Sequence, residues 1–369
     1  MAKSKVSRIG VLTGGGDCPG LNAVIRAVAK TGIFKFGMEI FGIEDGFLGL
    51  IEGRIRPLDV SDVSGILTVG GTILGASNKA NPSRFKVLEN GKWVEKDVTD
   101  RVLENFRKHK LDALVVVGGD GTMAGAAKLV DRGIRIVGVP KTIDNDLPGT
   151  EITFGHDTAV ATGTDALDKV HSTASSHHRV MVVELMGRYA GWLALRSGLA
   201  SGADVILIPE IPFSLDVVAE ACRRRSMHGK RFTLIAAGEG AHEAGEGMII
   251  DHVDESSPEP IRLGGVAKYV ADKIETLTGL ESRAIVLGHV QRGGTPTAFD
   301  RILATVLAHH ATELLAAGRF GELVVVRDGK IDSVPIGSIA GRIRTVRNDD
   351  PLMLAARAVG TCFGDVIER

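Results

Sequence analysis

The sequence alternates short apolar runs with polar, glycine-containing turns, and this order limits the possible folds more than any other feature. Most of these turns are followed by a segment with helical periodicity. Apolar runs without polar alternation are typical of strands buried on both faces, as in parallel sheets covered by helices. We predict strands at Val6–Leu12, Ala113–Val117, Ile134–Val139, Val180–Leu185, Val205–Ile208, Phe232–Ala236 and Ala284–Leu287.

The same order places the polar motifs. In open parallel sheets, ligands bind beyond the carboxyl ends of the strands. The polar motifs of this chain follow the apolar runs, so we expect them to line such an edge. The chain has 369 residues, which predicts two or three domains at about 100–200 residues each. Helices are predicted over Leu21–Phe34 and from Met123 onward.

The composition argues against several classes of function. The formal net charge is −1 and aromatic residues make up 4%, which disfavours nucleic-acid binding by a basic surface or by base stacking. Cys18, Cys222 and Cys362 lack metal-binding spacing and are typical of unpaired thiols in a reducing compartment. The sequence has neither the apolar core of a signal peptide nor a run of about 20 apolar residues. We therefore expect a cytoplasmic protein with no nucleic-acid partner and no membrane partner.

One segment, KVLENGKWVEKDV at 86–98, departs from the repeated order. Asn90–Gly91 stands between β-prone residues, which is a strong signal for a hairpin turn. We expect an exposed hairpin inserted in the first domain. Surface decoration and a functional element are both compatible with this segment, and the sequence leaves its role open.

Two glycine-rich segments follow predicted strands. The glycines of TGGGDCPG, at 13–20, expose N–H groups at a helix start, which suits either a phosphate site or an ordinary tight connection. The GKS/T ending of a Walker loop is absent. In GGDGT, Gly118–Thr122, the glycines permit close approach of a ligand, and Asp120 is a candidate Mg²⁺ ligand. A turn with a capping aspartate is the alternative interpretation of GGDGT.

PKTIDND, Pro140–Asp146, follows another predicted strand. Phosphoryl transfer to an alcohol needs an acceptor for the hydroxyl proton and a group that positions Mg²⁺. Asp144 and Asp146 are candidates for these tasks, although a DxD by itself is also typical of a solvated turn. Guanidinium groups suit phosphate but are also common in surface ion pairs. Basic residues stand near further predicted strands at Arg179, Arg188, Arg283, His289 and Arg292.

Taken in order, the motifs resemble those of the phosphofructokinase family. They are GVLTGGGDCPGLNA, GGTILG, GGDGT, PKTIDNDLPGT, SSHHRVMVVELMGRYAGWLA, PE, GEG and ESRAIVLGHVQRGG. The pattern is most similar to the longer bacterial branch, which contains users of ATP and users of pyrophosphate. The resemblance implies transfer of a phosphoryl group to the 1-hydroxyl of fructose 6-phosphate in glycolysis, with Mg²⁺ as cofactor.

The resemblance also implies a role for each matched residue. The expected donor-binding residues are Gly15, Lys79, Gly119, Asp120, Gly121, Thr122 and Lys141, with Asp120 on Mg²⁺. Lys79 is included because it stands next to Asn78, where the family often has an arginine. The expected sugar-binding residues are Thr142, Ile143, Asp144, Asp146, Arg179, Met186, Gly187, Arg188, Glu239, Arg283, His289, Val290, Gln291 and Arg292. The expected catalytic residues are Thr142, Arg188 and Asp144, of which Asp144 matches the proton acceptor.

The resemblance further implies the architecture and the assembly. We expect an α/β protein of two three-layer α/β/α, Rossmann-like domains, with the active site in the cleft between them. The larger, donor-binding domain would take 1–155 and 293–345, and the smaller, sugar-phosphate-binding domain 156–292 and 346–369. Arg179 and Arg283 match arginines that family members lend to a neighbouring subunit. This implies a homodimer or a homotetramer with shared sites.

The choice of donor depends on Gly121 and Lys141. In the resembling family, the position of Gly121 is glycine in ATP users and aspartate in pyrophosphate users. Glycine leaves room for the α-phosphate and ribose of ATP, whereas a carboxylate would repel the α-phosphate. Lys141 matches a lysine of the pyrophosphate users, yet a lysine serves either donor, and some ATP users combine glycine with lysine. We predict ATP as the donor, with pyrophosphate as the alternative.

Two functions of other classes fit part of the sequence. A nicotinamide-dependent oxidoreductase explains the strand–glycine–helix order and an acid near a second strand end, Glu44 or Asp45, but not PKTIDND. A non-catalytic sugar-phosphate sensor would keep the arginines without needing Asp120 and Asp144. Bound NAD without kinase activity would favour the first, and sugar-phosphate binding without turnover on any donor would favour the second.

Overall fold

The structure, a computed structural model, describes residues 6–366 and contains two main β-sheets. The strands are β1 Arg8–Thr13, β2 Glu39–Ile43, β3 Ile55–Leu58, β4 Phe85–Glu89, β5 Lys92–Lys96, β6 Ala113–Gly118, β7 Ile136–Pro140, β8 Val180–Leu185, β9 Val205–Leu207, β10 Thr233–Gly238, β11 Ile250–Val253, β12 Ile261–Leu263, β13 Ser282–Val286, β14 Glu322–Arg327 and β15 Lys330–Pro335. The helices are α1 Leu21–Thr31, α2 Phe47–Glu52, α3 Thr99–Lys108, α4 Asp120–Asp131, α5 His156–His177, α6 Trp192–Ala200, α7 Leu215–Met227, α8 Val266–Thr278, α9 Ala298–Ala316 and α10 Pro351–Ala358.

The first sheet has seven strands in the order β15-β14-β7-β6-β1-β2-β3. The central pairings, from β14 through β7, β6 and β1 to β2, are parallel. The edge strands β3 and β15 are antiparallel to β2 and β14. The prediction of a parallel sheet is therefore right for the centre and wrong at both edges. Antiparallel partners can follow short connections without a crossover helix, so the repeated strand-turn-helix order does not indicate them.

The second sheet has four strands in the order β13-β8-β10-β9, and all of its pairings are parallel. Its strands come from residues 180–286, whereas those of the first sheet come from residues 8–140 and 322–335. Because all pairings within this sheet are parallel, the carboxyl ends of its strands lie along one edge. The segments that follow β8, β10 and β13 therefore begin close together.

Alternate residues of the central strands pack into different cores on the two faces of each sheet. In β6, Val115 lies in one core and Val116 in the other. In β8, Val182 and Val183 are divided in the same way. All four are fully buried. Because both faces are covered, these strands are apolar along their length, and the predicted α/β fold class is confirmed.

The predicted elements recur in the structure with small shifts at their ends. Every predicted strand is present, and each end lies within two residues of its predicted position. The helix predicted from Met123 begins earlier, at Asp120, where Gly119 has extended backbone and the Asp120 carboxylate stands in the first turn. An acid at that position is favourable because it lies near the positive end of the helix dipole.

The predicted hairpin at 86–98 is confirmed as the antiparallel pair β4–β5. Asn90 and Gly91 have φ values of 51° and 77°, as a two-residue hairpin turn requires. Within residues 6–366, no helix combines the length and the apolar character needed to cross a membrane.

Candidate active site

A cleft of about 830 Å³ lies at the carboxyl ends of strands from both sheets. Its wall includes residues that follow β1, β6 and β7 of the first sheet and β8, β10 and β13 of the second. Most of the predicted site residues line it: Gly15, Gly119, Asp120, Gly121, Thr122, Lys141, Thr142, Asp144, Met186, Arg188, Glu239, His289 and Arg292. Parallel pairing explains the convergence, because it aligns the carboxyl ends of neighbouring strands.

Two basic side chains contact the glycine loop that follows β1. The buried Lys141, which directly follows β7, donates to the carbonyl of Gly16. Arg292 donates to the carbonyl of Asp17 over 3.1 Å. Desolvation by burial lowers the pKa of the Lys141 amine from its ordinary value. Both side chains also border the cleft, where their charge would attract anionic phosphates.

The glycines at 14 and 118 are required because Thr122 packs against both of them. A Cβ atom at Gly14 would lie 2.7 Å from Cγ2 of Thr122, and one at Gly118 would lie 2.3 Å from its Cβ. The Gly14 N–H also donates to the carbonyl of Val117 over 2.8 Å. The loops after β1 and β6 are therefore fixed to each other.

The TIDND turn that follows β7 is fixed by hydrogen bonds. The Thr142 hydroxyl accepts from the Asp144 N–H over 3.0 Å and donates to Asp144 Oδ2 over 3.3 Å. The Thr153 hydroxyl donates to the Thr142 carbonyl over 2.7 Å. Nδ1 of the buried His156 lies 2.6 Å from the Ile143 carbonyl oxygen. Ile143 itself is fully buried in a core, so it supports the turn and Asp144 borders the cleft.

Three carboxylates of the predicted site influence one another. Burial, followed by repulsion from Glu259, raises the pKa of Asp120 above its ordinary value. Burial, followed by the charges of Asp144 and Asp120, raises the pKa of Asp146 to about 8. Asp146 borders an adjoining cavity of about 230 Å³ together with Asp120 and Arg188. The region is therefore one where additional positive charge would be favourable.

The MGR segment after β8 has unusual backbone geometry that β10 supports. Gly187 and Arg188 have φ values of 140° and 53°, and the second lies in a region rarely used by residues other than glycine. The Arg188 N–H donates to Glu239 Oε1 over 2.9 Å. A Cβ atom at Gly240 would lie 2.0 Å from the Arg188 carbonyl oxygen. The GEG motif therefore holds Arg188 at the cleft, and backbone strain at such a position is typical of functional sites.

Glu239 should make stability depend on pH. Burial, followed by the nearby Asp144 charge, raises the pKa of Glu239 to about 7. The folded protein thus holds this proton more tightly than the unfolded chain. The resulting stabilisation is complete below the unfolded pKa of about 4.3 and is lost as the pH rises through the folded value.

The Glu239→Gln variant isolates this effect, because it keeps an acceptor for the Arg188 N–H but does not titrate. We expect its free energy of unfolding, relative to wild type, to rise by about 2–3 kcal/mol between about pH 5 and about pH 8. Urea denaturation of the ligand-free proteins measures the difference. A difference that stays constant over this range would show that Glu239 is ionised throughout.

The predicted site residues of the helical turn Gly288–Arg292 lie in different environments. His289 and Arg292 line the cleft, whereas Val290 is 67% exposed and lies outside the cleft wall. Gln291 is fully buried, and its Oε1 accepts from the Met186 N–H over 2.8 Å. Gln291 therefore contacts the MGR segment instead of the cleft.

Arg179 and Arg283 lie at the amino ends of β8 and β13, opposite the cleft. Both contact Glu281, with nitrogen–oxygen distances of 2.8 Å and 2.5 Å. A strand of five or six residues spans roughly 17–20 Å. Neither side chain therefore reaches the cleft of its own chain.

Residues 250–263, here named the cleft hairpin, form a part of the site that the sequence patterns did not indicate. β11 and β12 pair antiparallel, and several residues of the segment line the cleft. Glu259 forms an ion pair with Arg188. Lys79 Nζ lies 2.6 Å from Ser256 Oγ and 3.3 Å from Asp254. Lys79, which was predicted to bind the phosphoryl donor, therefore contacts the hairpin and is not part of the cleft wall. In sequence, the segment reads as an ordinary polar loop before α8.

A match over most of the chain establishes its family. Residues 8–315 match the family described as Phosphofructokinase. The chain belongs to the phosphofructokinase family. The matched range contains every loop that contributes predicted residues to the cleft, so the resemblance inferred from the motifs is confirmed.

Phosphofructokinases of known name and structure match most of the chain. The ATP-dependent 6-phosphofructokinase 2 of Clostridium perfringens is 46% identical over 362 residues, which are 98% of this chain and 99% of that protein. The pyrophosphate–fructose 6-phosphate 1-phosphotransferase of Amycolatopsis methanolica is 48% identical over 339 residues, 92% of this chain and 96% of that protein. The crystal structure of Pichia pastoris phosphofructokinase in the T-state matches with a TM-score of 0.76 and 34% identity, over 90% of this chain and 35% of that chain.

Proposed function

We propose that this chain is an ATP-dependent 6-phosphofructokinase, which phosphorylates the 1-hydroxyl of fructose 6-phosphate to give fructose 1,6-bisphosphate. The observation that carries the proposal is the presence of Asp120, Asp144 and Arg188 in one cleft. They supply a metal ligand, a proton acceptor and a cation for the moving phosphoryl group, which this reaction needs. Relatives named ATP-dependent 6-phosphofructokinase support the same donor and the place of the enzyme in glycolysis.

The proposal is tested by assaying the purified chain with fructose 6-phosphate and either ATP or pyrophosphate, each with Mg²⁺. We expect turnover with ATP to exceed turnover with pyrophosphate at saturating donor. The reverse order would establish the pyrophosphate-dependent reaction, which Lys141 in the cleft and the Amycolatopsis methanolica relative favour. Bound NAD without kinase activity would instead support an oxidoreductase, and sugar binding without turnover on either donor a sensor.

Asp144 is the proposed proton acceptor for the sugar 1-hydroxyl. Its position in the cleft wall is fixed by its bonds to Thr142, and only 7% of the residue is exposed. A held carboxylate can take the hydroxyl proton as the oxygen attacks the γ-phosphorus of ATP, while the bond from that phosphorus to the bridging oxygen breaks and ADP leaves. Thr142 positions this carboxylate and contacts the sugar in the proposed complex.

Arg188 and Lys141 are proposed to stabilise charge on the donor. Transfer of a phosphoryl group demands mainly positioning and electrostatic stabilisation of the phosphoryl oxygens. Both residues border the cleft, from the second and the first sheet respectively. Gly119 to Thr122 would lie against the donor phosphates at the start of α4, where the helix dipole favours anions.

Asp120 is the proposed Mg²⁺ ligand. Burial, and after it the charges of neighbouring carboxylates, raises the pKa of Asp120 and of Asp146, which supports a cation in this region. Among the described residues, no three histidine, cysteine or acidic side chains converge as a metal-binding group. Donor phosphates and water would therefore complete the coordination, as Mg²⁺ prefers. Bound Mg²⁺ would offset charge on the donor phosphates.

The sugar is proposed to bind on the side of the second sheet. Glu239 would contact a sugar hydroxyl, and Met186 and Gly187 would bound the sugar ring. His289 and Arg292 would contact the 6-phosphate and the sugar, and both border the cleft. Arg292 also contacts the glycine loop. It therefore lies between the proposed sugar-binding and donor-binding parts of the cleft.

We also propose the division of the chain into a larger domain, 1–155 and 293–345, and a smaller one, 156–292 and 346–369. The separate origins of the two sheets support this division. The contact of α10 with α6 and the pairing of Cys362 with Val205 support the assignment of the final segment to the smaller domain.

A homo-oligomer with shared sites is proposed from Arg179 and Arg283. They lie at the amino ends of strands of the second sheet, whereas the cleft lies at the carboxyl ends. A role in sugar-phosphate binding therefore requires the cleft of a neighbouring subunit. Within residues 6–366, their ionic partners are the partly exposed Glu281 and, for Arg283, also Glu275. Such exposed pairs contribute about 0–1 kcal/mol. The arginines can therefore exchange these contacts for a phosphate at little cost.

Mixing two inactive variants tests the shared site. We expect Arg179→Ala and Asp144→Asn to be nearly inactive alone and to regain activity when co-assembled. In a mixed dimer, the subunit with intact Asp144 receives Arg179 from its partner, so one of the two sites is complete. Steady-state turnover of verified mixed oligomers measures the recovery.

The matched control mixes Arg179→Ala with Arg283→Ala. If both arginines serve the same neighbouring site, every mixed site lacks one of them, and activity should stay low. Absence of recovery in the mixture of Arg179→Ala with Asp144→Asn would contradict a cross-subunit site.

A further inference from the structure

The cleft hairpin is held over the donor end of the cleft mainly by polar contacts. Ile250 and Val253 of β11 are 52% and 58% exposed, so this strand contributes little to a core. A two-stranded hairpin without packing on other elements is marginally stable by itself. Its position therefore depends on contacts such as Lys79 with Ser256 and Arg188 with Glu259.

Glu259 reaches into the loop assigned to the donor phosphates. Its Oε1 lies 2.8 Å from the position that a Cβ atom on Gly121 would occupy. Gly121 is the second residue of α4, at the end of the helix where anions are favoured. The carboxylate thus lies in the same region as the proposed phosphates and metal ligand.

The Glu259 carboxylate is paired with Arg188, the cation proposed to bind the donor phosphates. The Arg188 and Glu259 side chains are 29% and 46% exposed, so their ion pair lies at the open side of the cleft. A phosphate on Arg188 would approach the Glu259 carboxylate, and two like charges at contact distance repel. Donor phosphates and the Glu259 carboxylate therefore exclude each other.

We infer that Glu259 is a further residue of the donor subsite, whose carboxylate occupies Arg188 and the space beside Gly121 until donor phosphates displace it. The inference rests on the proposed function, which identifies the donor as the displacing anion. Glu259 then weakens donor binding and leaves sugar binding and the chemical step unaffected. Movement of the Glu259 side chain, which is 46% exposed, requires no opening of a core.

The Glu259→Gln variant removes the charge and keeps the size of the side chain. We expect its Kd for MgATP to be about 5–30-fold lower than that of wild type, because binding no longer displaces or opposes a carboxylate. Isothermal titration calorimetry measures this Kd without sugar. In steady state, KM for MgATP should fall while kcat and KM for fructose 6-phosphate stay within about twofold.

Glu255→Gln is the matched control. Glu255 belongs to the same hairpin and is exposed, and it lies outside the cleft wall. The variant makes the same change of net charge, so it should leave the Kd for MgATP within about twofold of wild type if the effect is local.

The possible outcomes separate the inference from the proposed function. An active wild type with unchanged MgATP affinity in Glu259→Gln would overturn the inference, as would an equal gain in Glu255→Gln. A loss of kcat above about tenfold in Glu259→Gln would assign the residue to the chemical step and also overturn it. Wild-type protein that binds MgATP but turns over neither donor would instead refute the proposed function.

Discussion

Asp144→Asn is expected to lower kcat by about 10²–10⁴-fold while changing affinity for fructose 6-phosphate little. Asparagine has nearly the same shape as aspartate but cannot accept the hydroxyl proton. The Thr142 hydroxyl and the Asp144 backbone N–H can keep their hydrogen bond, so the turn should retain its geometry. Steady-state kinetics with ATP and direct titration of the sugar phosphate separate the two quantities.

Thr142→Val is an informative companion to this variant. It removes the hydroxyl that contacts Asp144 but leaves the carboxylate in place. We expect a smaller loss of kcat than in Asp144→Asn, since the hydroxyl proton can still be transferred to the Asp144 carboxylate, although that group is held less well. An Asp144→Asn variant that retains most of its kcat would remove Asp144 from the role of proton acceptor.

Gly121→Asp is expected to weaken the use of ATP by about 10²–10³-fold. A second carboxylate beside a donor phosphate at about 4 Å costs roughly 4 kcal/mol at a surface-like dielectric, and each 1.4 kcal/mol is a factor of ten. Because Lys141 is already in the cleft, we expect the variant to gain turnover with pyrophosphate. Kinetics with both donors at constant fructose 6-phosphate measure the change.

The fold should tolerate this substitution. Gly121 does not have positive φ, and the atom nearest to an added Cβ belongs to the movable side chain of Glu259. An acid in the first turn of α4 is also favourable for the helix. The new carboxylate would lie beside Glu259 and Asp120, and their repulsion offsets this gain. The variant should therefore fold, with a melting temperature slightly below that of wild type.

Gly121→Ala separates charge from volume, since it adds the Cβ atom without a carboxylate. We expect it to retain much more ATP activity than Gly121→Asp. Equal losses in the two variants would show that space, and not repulsion, decides the donor at this position.

The sequence alone determined the fold class and the central strands. Strands such as β6 and β8 are buried on both faces, so their apolar runs are continuous and can be recognised without tertiary information. The turns that follow them must be polar or glycine-rich because they leave the sheet at its edge. This is why Asp120 and Asp144, which follow neighbouring strands, could be predicted to lie close together. That Arg188 of the second sheet joins them was implied by the family resemblance, and the cleft contains all three.

The tertiary structure alone decided the details that depend on distant contacts. Glu259 lies 71 residues from its partner Arg188, and the polar loop that contains it carries no pattern that names this partner. The positive φ of Arg188 and the requirement for glycine at 240 arise where two neighbouring strands end. The antiparallel direction of the edge strands β3 and β15 is likewise set by their pairing with neighbouring strands, which the periodicity of the sequence does not indicate. Local sequence patterns report burial and turns, whereas the approach of remote segments is set by how the sheets and loops pack together.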